Sequence, residues 1–151
     1  MINDDLKLTG ALTIAINDEV VQDTDNLVVT VGRQWVANRL KDTVSGGFTQ
    51  KGQMTHMAVG TDGTTAAAGN TTLGAEISGG RNTLSTAGGT VSTNTIQYVC
   101  TWAAGDGTGA VKEAGIFNAS SAGDMFARTD FPVVNKGADD SMTITWTVTV
   151  S

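Results

Sequence analysis

The chain has 151 residues, enough for one domain with its own core and without disulfide or metal staples. Its net charge is −6 and its nine basic residues are scattered, so there is no electrostatic footprint for a phosphate backbone and no nucleic-acid partner is expected. Nineteen Gly, one Pro and 24 Thr favour strands and turns, because Thr is β-branched and Gly supplies positive φ.

The opening stretch Met1-Ile2-Asn3-Asp4-Asp5 is acidic and lacks a basic and an apolar region, so no secretory leader is expected. No window is apolar enough for a membrane span, and no membrane partner is expected. Leu6, Leu8, Leu12, Ile14 and Ile16 share one parity, the period of a half-buried strand, and Asn17-Asp18 marks a turn. Val20-Val21 and residues 27–31 read as further strands, split by the polar stretch 22–26. A helix is expected over residues 33–44, where Val36, Leu40 and Val44 recur every fourth position, Trp35 and Ala37 widen the stripe, and Gly46-Gly47 supplies a stop.

Thr55-His56-Met57-Ala58-Val59-Gly60 reads as a short strand, followed by a Gly/Thr/Ala loop over 61–70. Residues 73–77 suggest one helical turn with Thr71 or Thr72 as N-cap. Residues 81–86 and 90–102 return to strand character; in the second, Ile96, Tyr98, Cys100 and Trp102 share one parity. The last stretch alternates most cleanly, with Met142, Ile144, Trp146, Val148 and Val150 on one face and Thr143, Thr145, Thr147 and Thr149 on the other. A strand so patterned is expected to be paired into a sheet.

Candidate chemistry is sparse. Gly105-Asp106-Gly107-Thr108-Gly109-Ala110 fits a loose G-x-G-x-x-G/A fingerprint, with Asp124 downstream where a ribose-binding acid would stand. Phosphate is held at the N-terminus of a helix, however, and the interrupted Val111–Phe117 segment does not supply one, so a turn is the better reading. His56 is the only histidine, which leaves no second histidine ligand for a metal, and no Gly-x-Ser-x-Gly elbow accompanies it. The acidic pairs Asp4-Asp5 and Asp139-Asp140 and the stretch Asp23-Thr24-Asp25-Asn26 lack EF-hand spacing and read as solvated turn carboxylates. Cys100 is the sole cysteine and reads as a small buried hydrophobe. Trp35, Trp102 and Trp146 fall on apolar stripes, as core residues do. No catalytic, cofactor-binding or metal-binding residue is nominated, no cofactor is expected, and the chain is not read as an enzyme.

A resemblance is carried by Gly107-Thr108-Gly109-Ala110-Val111-Lys112-Glu113-Ala114-Gly115-Ile116-Phe117, by Met125-Phe126-Ala127-Arg128-Thr129, and by Asn135-Lys136-Gly137 before the terminal strand. These resemble a module of tailed-bacteriophage virion structural proteins, with an "E-[AI]-G-[LI]-F" strand, a short loop, an "L-x-A-R" strand and a closing strand. Thr55-His56-Met57-Ala58-Val59-Gly60 and Leu73-Gly74-Ala75-Glu76 extend the likeness to about two thirds of the chain. Read physically, Ala114–Phe117 and Met125–Thr129 form a hairpin that Phe131-Pro132 ends, with Glu113 and Arg128 facing each other as an exposed pair worth about 0–1 kcal/mol.

The expected fold is mainly β: an antiparallel β-sandwich, jelly-roll-like, with one short α-helix. It forms a single domain over 1–151, with an N-terminal hairpin and helix over 6–44 and a C-terminal strand module over 90–150. The resemblance implies a virion protein made in the bacterial host cytoplasm, a capsid decoration or cement protein that binds the major capsid protein and itself as a homotrimer. The alternative partners are tail proteins, for a tail or tail-fibre adaptor. A host-receptor or carbohydrate-binding module is a more distant reading. Loops 45–53 and 61–70, long and polar, are the expected contact surfaces.

Overall fold

The computed structural model describes residues 5–41 and 50–151. Over the described residues the chain is mainly β, with two antiparallel five-stranded sheets and one short helix, consistent with a β-sandwich. The first sheet contains β1 (Leu8–Ile16), β2 (Glu19–Asp25), β6 (Thr90–Ser92), β7 (Thr95–Trp102) and β10 (Met142–Val150), in the order β2-β1-β10-β7-β6. The second contains β3 (Leu27–Val28), β4 (His56–Gly60), β5 (Glu76–Thr83), β8 (Gly109–Phe117) and β9 (Met125–Lys136), in the order β3-β9-β8-β4-β5.

The alternation of β10 fixes the register of the first sheet. Leu12 stands opposite Trp146 and Ile14 opposite Ile144, while on the other flank Tyr98 and Cys100 stand opposite the same two residues. A one-residue slip would turn these side chains out and the threonines in. The inward face meets Met57, Val59, Val111, Ala114, Ile116, Ala127 and Val134 of the second sheet, forming one continuous core. Asn17 (φ 49°) and Asp18 (φ 67°) make the two-residue turn between β1 and β2, two positive-φ residues matching the twist of the strands.

Several elements differ from the sequence expectation. The helix α1 (Thr30–Leu40) starts three residues earlier than expected, and 42–44 lie outside the described residues. Its contact line runs through Gly32 and Trp35, with Val36 packed alongside and Leu40 exposed. Gly32 lets the helix backbone touch β9, since a Cβ there would overlap the Phe126 carbonyl. Trp35 stacks edge-on against Phe126 at 5.5 Å and donates its indole N–H to the Gly52 carbonyl at 2.7 Å. The polar stretch after Val21 is strand, because β2 is an edge whose side chains need not be apolar. Residues 73–77 are not a helical turn; β5 begins at Glu76, earlier than expected, and ends at Thr83. The 90–102 stretch is a hairpin broken at Thr93 (φ 50°).

Pro132 does not end β9. The register jumps from Val111↔Val134 to Glu113↔Asp130, so residues 131–133 stand against Lys112 alone, an irregularity that tolerates a residue without an N–H. A second small core, Val29, Ala58, Leu73, Phe117 and Met125, lies apart from the inter-sheet core, and Leu73 brings the 61–75 segment to it.

Candidate functional site

Glu113 shares a face of the second sheet with Arg128. The ladder pairs Glu113 with Asp130 and Gly115 with Arg128, which makes Glu113 and Arg128 diagonal cross-strand neighbours. Both are buried: Glu113 is 0% exposed and Arg128 2%. Arg128 donates from Nε (2.9 Å) and reaches from Nη2 (2.8 Å) to Glu113 Oε2, and from Nη1 to Asn70 Oδ1 at 3.2 Å. Glu113 also accepts the backbone N–H groups of Gly74 (3.0 Å) and Ala75 (2.7 Å). The exposed pair expected from the sequence is therefore a buried one, because the segment 61–75 closes over it.

That segment is fastened along its length. Asp130 Oδ1 accepts the Ala66 N–H at 2.7 Å, the Thr30 N–H reaches the Ala68 carbonyl at 2.8 Å, and the Thr61 N–H reaches the Ala75 carbonyl at 2.9 Å. Asp62 turns the chain by accepting from the hydroxyl (2.7 Å) and N–H (2.9 Å) of Thr64. These bonds, the hydroxyl first, hold its carboxyl below the ordinary carboxylate range, and Arg128 Nη2 lies 3.8 Å away. A shallow cleft of about 230 Å³ opens between Asp62, Asn70, Thr72, Gly74 and Arg128. The outcome is a long polar loop in which Thr64, Thr65, Ala67 and Ala68 stay solvent-exposed.

Residues 104–107 form a turn that opens directly into β8, with Gly105 at φ 89° and Gly107 at φ 57°. No helix N-terminus follows the glycines, so the geometry that cradles a dinucleotide phosphate is missing at this place. Asp124 pairs with Lys51 at 2.9 Å, and its N–H donates to Asn118 Oδ1 at 2.8 Å, closing the β8–β9 loop. His56 contacts the Thr55 hydroxyl through Nδ1 at 2.8 Å; burial, then the Arg81 charge, lowers its pKa. Arg81 grips Glu76 with two nitrogens (2.9 and 2.6 Å), lies 3.8 Å over the Phe117 ring and donates to the Ala119 and Ala122 carbonyls.

Cys100 is fully buried, which pushes its thiol up to about 12. Trp35, Trp102 and Trp146 are buried, and among the described residues every Trp, Tyr and Phe is. Asp23 accepts the Thr13 hydroxyl, while Asp140 accepts from Asn17 and the Gly137 N–H. Among the described residues, no three of His, Cys, Asp and Glu gather closely enough to hold a metal ion, and no helix is long and apolar enough to cross a membrane. Of the expected contact loops, 45–49 lie outside the described residues.

The sequence assigned no fastening role to Asn70, Asp130 or Lys136, although Lys136 stands in the Asn135-Lys136-Gly137 stretch that carries the resemblance. Buried Lys136 ties two loops together by donating to the Ala103 and Asp140 carbonyls at 3.0 and 2.7 Å. Asp62 had a local signal, an Asp-Gly-Thr turn directly after a strand. Compared with known proteins, the chain matches no family model, no curated protein and no solved structure.

Proposed function

We propose that this protein is a structural component of a tailed-bacteriophage virion, a decoration protein that binds the outer capsid lattice and other copies of itself. The observation that carries this reading is a coincidence of residues. Glu113, Arg128 and Asp130, on or beside the strands that carry the virion-protein resemblance, are the groups that fasten the 61–75 loop. A lattice-binding protein needs a fixed surface rather than a reactive site. Modest contacts from several copies then add through effective concentration, and the surface they bury opposes expansion of the shell.

The test is a count of copies in purified virions by quantitative mass spectrometry, with a density map to locate them. Copies in proportion to the capsid lattice support decoration. A few copies located at the tail favour the tail-adaptor alternative, and absence from the particle overturns both. The carbohydrate-binding alternative has no stacking platform among the described residues, since Trp35 and Tyr98 are buried at 9% and 1% exposure.

A further inference from the structure

Within their strand bounds, the three central strands of the first sheet carry no charge on the outward face; Lys7, which continues the β1–β10 ladder opposite Ser151, brings a charge to one end of it. β1 contributes Thr9, Ala11, Thr13 and Ala15; β10 contributes Thr143, Thr145, Thr147 and Thr149; β7 contributes Thr95, Gln97, Val99 and Thr101. The registers β1–β10 and β10–β7 run without a bulge, so these residues form a regular grid, each at least partly open to solvent. Charged residues make up 16% of the chain, and none falls among these twelve positions. Here the carboxylates appear only at one margin, where Asp23 and Asp25 of β2 stand opposite Thr13 and Ala11. The other margin, β6, is neutral, with Thr90 opposite Gln97 and Ser92 opposite Thr95.

We infer that this face packs against the same face of a second copy of the chain, about a two-fold axis running along β10. The charge distribution selects the axis. A two-fold axis across the strands would set Asp23 and Asp25 against their own counterparts in the second copy. An axis along β10 keeps each residue at its own level but exchanges the margins, so Asp25 meets Thr90 of the second copy and Ala11 meets Gln97. β10 then faces itself, threonine methyls filling the contact and hydroxyls bonding hydroxyls, as Thr101 and Thr143 already do within one copy at 2.9 Å.

The strands β1, β2, β6, β7 and β10 are 9, 7, 3, 8 and 9 residues long; at about 3.4 Å per residue and about 4.8 Å between strands they cover roughly 600 Å² per copy, or about 1,200 Å² for the pair, the lower edge of the range for stable complexes. The face supports two copies, where the family resemblance implies three. The inference does not rest on the capsid role, because it is tested on the isolated protein.

Sedimentation equilibrium and light scattering of the purified full chain should give a two-copy mass at micromolar concentrations. Thr147→Lys places like charges on the axis and should weaken the dimer on the order of 100-fold, since like-charge contacts at interfaces cost several kcal/mol, with the melting curve confirming a folded chain. Thr90→Lys, at the exposed margin, should tighten it by bringing an ammonium to Asp25 of the second copy, and Thr90→Glu should loosen it. A monomer at all concentrations, a three-copy mass, or a dimer indifferent to Thr147→Lys and the Thr90 pair overturns the inference.

Discussion

Replacing Glu113 with alanine strips three groups of their acceptor at once. Arg128, 2% exposed, would keep only Asn70 at 3.2 Å and the more distant Asp62 at 3.8 Å, and the N–H groups of Gly74 and Ala75 would lose their shared carboxylate. Removing one partner of a buried ion pair costs about 3–5 kcal/mol, because the remaining charge stays desolvated. At about 2–4 °C per kcal/mol for a domain of this size, the melting temperature should fall by roughly 6–20 °C. Urea unfolding followed by circular dichroism gives the free energy, and amide hydrogen exchange at Gly74 and Ala75 reports whether the loop comes loose first. Glu113→Gln keeps an acceptor for the N–H groups and should lose less. Replacing Glu113 and Arg128 together by methionine should not restore full stability, since the two N–H groups remain orphaned at about 1–3 kcal/mol each. A loss below about 1 kcal/mol for Glu113→Ala, within the range of an exposed pair, would refute the assignment of the pair as the fastening of the loop.

Gly32→Ala should destabilise the protein by about 1–3 kcal/mol despite alanine's higher helix propensity, because the added Cβ meets the Phe126 carbonyl; a neutral or stabilising result in thermal melts would contradict the close helix–strand contact. Cys100 should resist a thiol reagent at pH 8 in the folded protein and react at once in denaturant, as its buried thiol has a pKa pushed up to about 12. Tyr98 is likewise raised to about 12 by burial, so its contribution to stability is complete below the ordinary value near 10 and is lost as pH rises through about 12. Denaturant midpoints measured from pH 8 to 12 should therefore fall across the alkaline end, and Tyr98→Phe should flatten that fall.

Strands whose chemistry is repeated residue by residue were legible from the sequence. The Thr-hydrophobe alternation of β10 names its core face without help, and the apolar parity of β7 does the same. Elements decided by neighbours were not. β2 reads as polar because an edge strand has one open flank, and the helix boundary depends on Gly32 meeting a carbonyl from β9, far away in sequence. Pro132 misled because a proline is a strand end only where the ladder is regular, and the jump opposite Lys112 depends on both strands. At the loop, the sequence showed that Glu113 and Arg128 meet across a hairpin but not that they are covered. Their burial follows from Leu73 docking on Phe117 and Met125, a contact that local periodicity does not contain.

The position of β10 between β1 and β7 has a consequence for the order of assembly on the ribosome. Until residues 142–150 have been made, the β1–β2 and β6–β7 hairpins are separate pieces, each with an open flank where β10 belongs. Closing the first sheet joins positions as distant as Leu8 and Val150. Such long-range pairing is slow, so nascent chains stalled before Met142 should present open, aggregation-prone edges on β1 and β7.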